Sequence, residues 1–276
     1  MIKTATVSMA VALAASQGLS DISAARRAEC EKRAAELVAK LSGEERVEQL
    51  MMDSPAVERL SIPKYHWWNE ALHGAARAGL ATVFPQSMGM AATFDEPLMR
   101  RMGDVVSTEA RAKYNLFSSK GFRDIYFGLT FWSPNVNMFR DSRWGRGQET
   151  FGEDPFLSGR MGGAYVRGLQ GDDPRYLKLA ACAKHFAVHS GPESLRHGFD
   201  AKVSRRDLAE YYLLAFKMLA VDAKVEAFMG AYSALNGVPC CANRWLLTDL
   251  LRGEWGFRGH VVSDVGAVGD IPRWHH

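Results

Sequence analysis

An α/β fold of the (β/α)8 TIM-barrel type, with the sequence ending before the barrel closes, is predicted from three observations. Short apolar runs of strand type alternate with helical patterns of ordinary length, the signature of parallel βαβ units. Polar residues cluster at the C-terminal ends of those runs, the face on which barrel sites open. No GxGxxG follows a strand, so a doubly wound dinucleotide-binding sheet, the structural alternative, loses support.

The helices carry their own start and stop signals. Ser42, Gly43, Glu44 and Glu45 form a capping box, with Val47, Leu50 and Met51 following at i, i+3, i+4 spacing as an expected apolar face. Asp95 and Pro97 open a second helix, which presents Met102, Val105, Val106 and Ala110 on one side. Asp154 and Pro155 begin a third, which Gly171 ends. Ser204 with Asp207 caps a fourth, whose inward face is Leu208, Tyr211, Ala215 and Leu219. Asn243 caps a fifth, built on Leu246, Leu247, Leu250 and Leu251 and closed near Gly256. Between them, residues 129–132, 179–186, 227–232 and 260–263 read as strands.

Composition bounds the function. The 276 residues are 47% hydrophobic, enough for one large domain with a buried core. Lys and Arg total 34 against 31 Asp and Glu, scattered along the chain, which argues against a nucleic-acid surface. No apolar run reaches the roughly 20 residues that span a bilayer. At the N-terminus Lys3 precedes a small apolar stretch over residues 7–15, and Ala12, Leu13 and Ala14 fit a small-x-small cleavage site. That pattern predicts a signal peptide over residues 1–15, cleavage near Ala14 or Ala15, and export to the periplasm or medium. The mature domain is then 16–276. The four cysteines, Cys30, Cys182, Cys240 and Cys241, are too uneven for a disulfide framework and lack zinc-site spacing; Cys182 reads as a small core residue.

The strand ends hold the chemistry. Lys184 and His185 end one run, Tyr232 another, and Asp264 the run His260-Val261-Val262-Ser263. A loop dense in charge, residues 140–149, follows the first strand and reaches the same face. Cations, a carboxylate and aromatics converging there suit a polyhydroxylated substrate. The bland readings are that Asp264 caps a helix near Val268, that Arg146 and Lys184 belong to structural ion pairs with Glu149, Glu153 or Asp154, and that at least one of Trp67 and Trp68 fills the core. His189, Arg196 and His197 either touch substrate or order their loop. His185 and His189 are four apart but lie at a strand end, not on the helix a zinc site of that spacing needs, and GxSxG is absent. Neither a metal nor a cofactor is expected.

Long motifs in fixed order resemble glycoside hydrolase family 3: GLTFWSPNVNMFRD over 128–141, RWGRGQE over 143–149, GEDP over 152–155, KHF over 184–186 and VSD over 262–264. WWNEALHG over 67–74 is similar to the β-xylosidase branch. The resemblance runs from about Glu44 to the C-terminus. It implies retaining hydrolysis of terminal β-linked sugars from oligosaccharides, with Asp264 as nucleophile and a covalent glycosyl-enzyme intermediate. It further implies that Lys184 and His185 bind sugar hydroxyls, Lys184 lowering the pKa of Asp264, while Arg146 and Glu70 bind the ring and Tyr232 lines the floor. The family's acid/base usually comes from a later α/β sandwich domain, which this chain is expected to lack. The continuation of Lys184-His185-Phe186 as Ala187-Val188-His189-Ser190-Gly191-Pro192 differs from the branch that uses a loop histidine instead. β-Glucosidase, and a sugar-binding fragment without turnover, are the alternatives.

Overall fold

The structure, a computed structural model, describes residues 23–189 and 191–275. The expected signal peptide lies outside the described residues.

Four parallel strands form the central sheet, in the order β3 (Thr130–Phe131), β4 (Ala180–Phe186), β6 (Ala227–Gly230) and β9 (His260–Ser263). The segment after β2 (Tyr65–His66) flanks β3: Trp132 N–H donates to the Asn69 carbonyl at 2.8 Å and the Thr130 hydroxyl to the Trp67 carbonyl at 2.8 Å. β2 itself pairs antiparallel with β1 (Asp53–Ser54). A satellite sheet of β5 (Asp200–Ala201), β7 (Ala234–Leu235) and β8 (Val238–Pro239) stands beside the C-terminal ends.

Helices make each crossover, as parallel pairing requires. The chain opens on α1 (Ala24–Lys40) and α2 (Gly43–Glu48), continues through α3 (Ser87–Ala91) and α4 (Glu96–Ser119), and joins β3 to β4 through α5 (Pro155–Gln170). Between β4 and β6 a helix starts at Arg205–Asp207, widens over Leu208–Tyr212, and resumes as α6 (Leu214–Val221). α7 (Trp245–Glu254) joins β6 to β9, and α8 (Ala267–Trp274) follows. The caps are those read from the sequence. Ser42 and Glu45 exchange both capping-box bonds, Asp95 and Asp154 accept from Leu98 and Leu157 N–H at 2.9 and 2.6 Å, and Asn243 accepts from Leu246 N–H at 3.0 Å.

Four expected apolar positions differ. α2 ends at Glu48, one turn after it starts, so Leu50 and Met51 fall outside the helix. Val47, Leu50 and Met51 are exposed, Leu50 at 85%, and Leu50 and Met51 line the rim of an apolar cavity against Trp67, Trp132 and Val262. Val105 of α4 also faces outward, whereas Val106 and Ala110 are buried.

Strand alternation divides the core. Phe228 points to the helices and packs with Phe186, Phe216 and Phe257 at ring separations of 5.0, 6.0 and 4.9 Å. Its neighbours Ala227 and Met229 point the other way, joining Trp132 and Cys182 in a second buried cluster on the inner face. Cys182 is thus the core residue its setting predicts. α4 and α5 approach through Gly103 and Gly168: a Cβ at Gly103 would lie 2.7 Å from the Tyr165 carbonyl oxygen, and one at Gly168 would overlap the Arg100 carbonyl. Backbone cannot give way as a side chain can. Gly168→Ala should therefore cost about 1–3 kcal/mol and lower the thermal midpoint by about 2–4 °C per kcal/mol, read by calorimetry. An unchanged midpoint would show that the helices separate freely.

Candidate active site

The C-terminal ends of the strands bring the expected residues together. Glu70 stands on the segment after β2, Arg146 on the loop after β3, Lys184 and His185 near the C-terminal end of β4, Tyr232 just past β6, and Asp264 immediately after β9. Lys184, whose side chain is 3% exposed, donates from Nζ to Glu70 Oε2 at 3.2 Å. Trp68 Nε1 donates to the other oxygen, Oε1, at 3.0 Å. The Glu70 carboxylate is thereby held at both oxygens, from two directions. Trp68 also stacks on Trp132, with ring centroids 5.5 Å apart. Trp67 takes the structural role, donating to the Ser54 hydroxyl at 3.1 Å and packing against Tyr65 and His260.

Arg146 holds Glu149 in a two-pronged pair, Nε to Oε1 at 2.8 Å and Nη2 to Oε2 at 2.6 Å. Burial opposes the ionisation of Glu149, but the guanidinium outweighs it and keeps the carboxyl below its ordinary range. Arg146 thus belongs to the expected ion pair and also stands on the wall of a cavity. Glu70, Arg146, Glu149 and Lys184 line a cavity of about 520 Å³ with Trp68, His73 and Tyr126. His185, Tyr232 and Asp264 do not line it; they are buried beside it.

Asp264 is 7% exposed. Its Oδ1 accepts from Val265 N–H at 2.8 Å, while Oδ2 is buried with no hydrogen-bond partner and lies 3.5 Å from His185 Nε2. α8 begins three residues further on, and its first turn is not capped by the Asp264 side chain. Burial raises the Asp264 carboxyl above its ordinary value; Lys184 and Arg146 pull against that shift without reversing it. Lys184 thus lowers the Asp264 pKa as expected, while burial raises it by more. The cation is in place, but the carboxylate is too deeply buried for its attraction to win.

His185 is 1% exposed, and its pKa is driven well below the usual value by burial and then by His189, Arg146 and Lys184. Burial likewise brings His189 down to about 3. The two rings lie 4.6 Å apart. Tyr232 donates its hydroxyl to the Val265 carbonyl at 2.6 Å, and burial followed by the Asp264 charge pushes its own pKa up. Arg196 pairs with Glu193, and His197 Nδ1 meets Asp270 Oδ2 at 2.7 Å, tying the loop after β4 to α8. These two order the loop. Among the described residues no group of three or more His, Cys, Asp or Glu is placed to hold a metal, and no helix is long and apolar enough to cross a membrane.

Three contributors escaped single notice in the sequence: Trp68 as a clamp on Glu70, Glu149 as the partner that aims Arg146, and Asn137. Asn137 is buried and accepts from His185 N–H at 2.8 Å. The available signal was polar spacing: Asn135 and Asn137 alternate with apolar residues in a run that has every other mark of burial.

A parallel α/β sheet with a carboxylate, a lysine and an arginine converging at its strand ends has the form of a (β/α)-barrel domain with its site at the C-terminal face. The model of the glycosyl hydrolase family 3 N terminal domain matches residues 34–276, and the chain belongs to that family. A xylan 1,4-beta-xylosidase of Xylanibacter ruminicola is 51% identical over 248 residues, covering 88% of this chain and 29% of that protein. A GH3 exo-beta-xylosidase solved with a xylobiose aziridine activity-based probe superposes with a TM-score of 0.81 at 40% identity, covering 88% of this chain and 32% of the other. Beta-glucosidase 3B from Thermotoga neapolitana, in complex with alpha-D-glucose, gives 0.65 at 31% identity over 76% of this chain and 28% of its own. The chain thus spans about three-tenths of the length of the relatives it matches.

Proposed function

We propose that this domain carries the nucleophile and sugar-binding half of a retaining β-glycosidase, acting on the non-reducing ends of xylo-oligosaccharides. The observation that carries the reading is a buried, half-free carboxylate, Asp264, beside a lysine–carboxylate clamp that opens on a cavity. Asp264 attacks the anomeric carbon, and water later releases the sugar. Lys184 donates and Glu70 accepts hydrogen bonds at ring hydroxyls; Arg146 adds donors from the loop after β3, and Tyr232 fixes the turn that presents Asp264. The acid that protonates the leaving group is assigned to chain beyond this domain. Export through the leader, and a place in xylan breakdown, belong to the same proposal; the N-terminal sequence of the secreted protein checks the first.

Xylose is favoured over glucose by the names of the more similar relatives and by Glu70. A glutamate reaches one methylene further into the cavity than an aspartate, and Trp68 and Lys184 hold both of its carboxylate oxygens. That leaves less room for the hydroxymethyl arm that glucose has and xylose lacks. Steric differences of this size are worth about 1–3 kcal/mol, or about 10- to 200-fold in kcat/KM. In the longer polypeptide, assayed on nitrophenyl xyloside, glucoside and arabinoside, wild type should prefer xyloside. Glu70→Asp should raise the glucoside-to-xyloside ratio by about tenfold or more. A wild-type preference for glucoside points to β-glucosidase instead.

A further inference from the structure

Asn137 and His185 exchange three hydrogen bonds. The Asn137 Oδ1 atom accepts from the His185 backbone N–H at 2.8 Å, and the Asn137 Nδ2 atom donates to the His185 carbonyl at 2.9 Å. Neither backbone group can reverse its role: an N–H only donates and a carbonyl only accepts. The orientation of the side-chain amide is therefore fixed, with Oδ1 an acceptor. The third contact joins this same Oδ1 to His185 Nδ1 at 3.0 Å. An acceptor there requires a proton on Nδ1.

Resting on the reading of Asp264 as nucleophile, we propose that Asn137 is a positioning residue that locks the proton of His185 on Nδ1, so that a bare Nε2 faces Asp264 and its free carboxylate oxygen is left unquenched. The geometry makes the choice matter. Nε2 lies 3.5 Å from Oδ2, the oxygen that has no hydrogen-bond partner, whereas Oδ1 is committed to Val265 N–H. In the opposite tautomer Nε2–H would donate to Oδ2. The nucleophile would then be hydrogen-bonded at both oxygens, more stable as an anion and slower to attack. In the locked tautomer Nε2 is instead an acceptor, suited to the hydroxyl of a bound sugar, while Lys184 beside it is the donor. The ring is kept neutral by burial and by the cations around it. The charged and titratable groups facing it are Lys184 and His189 from β4 and its turn, Arg146 from the loop after β3, Arg196 from the loop beyond β4, and Asp264 past β9.

Two measurements on the 276-residue chain test this. Histidine-selective nitrogen NMR of the wild type should show His185, assigned by its loss in His185→Gln, with a protonated Nδ1 and a bare Nε2; the reverse overturns the proposal whatever the variants do. The second is the rate of covalent labelling by 2-deoxy-2-fluoro-xylosyl fluoride against pH, followed by intact mass. In that step an Asp264 oxygen bonds to the anomeric carbon as the carbon–fluorine bond there breaks, and fluoride departs without needing a proton. Asn137→Leu removes the acceptor, so the proton moves to Nε2: the plateau rate should fall about tenfold, one hydrogen bond's worth, and the acidic limb should move down by about one pH unit. Asn137→Asp keeps an acceptor for Nδ1–H, and its limb should stay at or above the wild-type position. A merely structural Asn137 would lower the amount of folded protein without moving the limb. Limbs that coincide in wild type and Asn137→Leu refute the lock. Failure of the wild type to label, with the NMR as expected, counts against the hydrolase reading and leaves the tautomer assignment standing.

Discussion

Asp264→Asn should abolish turnover while making the domain more stable. Asparagine cannot form the glycosyl ester through which a retaining glycosidase works, so kcat/KM should fall by at least a thousandfold, about 4 kcal/mol at 1.36 kcal/mol per decade. Labelling of this position by the fluorinated xylosyl fluoride should vanish. The stability change has the opposite sign. A carboxyl whose folded pKa lies above its unfolded value binds its proton more tightly when folded. Its ionisation therefore costs stability progressively as pH rises from the unfolded to the folded value, and the full cost persists above the latter. Asparagine cannot ionise, keeps an oxygen for Val265 N–H, and presents an amide N–H toward the bare Nε2 of His185. The thermal midpoint at pH 7 should accordingly exceed that of wild type, and the gain should shrink as pH falls toward the unfolded carboxyl value. Wild-type turnover by Asp264→Asn would remove Asp264 from the chemistry. A lower midpoint at pH 7 would mean that the buried charge is better compensated than its surroundings indicate.

The strands and caps were legible because they rest on local signals. The run 260–263 ends on Asp264 in sequence and in space, and Asp154-Pro155 and Gly171 bracket α5 as written. Helix α2 shows where local signals stop: its capping box is correct, but the period continues past the point at which tertiary packing allows the helix to run. The site was legible at strand ends, where an alternating chain must deliver side chains to one face. Two things were not legible. The balance between burial and cations at Asp264 depends on how deeply the folded chain covers it, which no spacing encodes. The pairing of Asn137 with His185 joins residues 48 positions apart and is made by the backbone of β4 as much as by its side chain. Sequence marks which groups can titrate or donate; the depth at which they lie sets the sign.

This chain alone should cleave activated xylosides far better than natural ones. Cleaving xylobiose requires a proton on the departing oxygen, and a positioned acid is worth about 10²–10⁴-fold. Such an acid must be protonated near the working pH. At the cavity, both Glu70 oxygens already accept hydrogen bonds from Lys184 and Trp68, and Arg146 keeps the Glu149 carboxyl below its ordinary range, which makes it a poor proton donor. His189, brought down to about 3, carries no proton to give at neutral pH. Dinitrophenyl xyloside needs none, because its phenolate leaves as a stable anion. The purified chain should therefore release one equivalent of dinitrophenolate per site in a burst, as Asp264 becomes xylosylated, while its xylobiose turnover lies about 10²–10⁴-fold below that of the longer polypeptide. Adding azide sharpens the test. A small anionic nucleophile needs no general base to attack the intermediate, so it should speed turnover of the activated substrate and yield xylosyl azide. Xylobiose turnover by this chain at the rate of the longer polypeptide would place the acid inside residues 1–276, with His189 and Glu193 the first positions to replace.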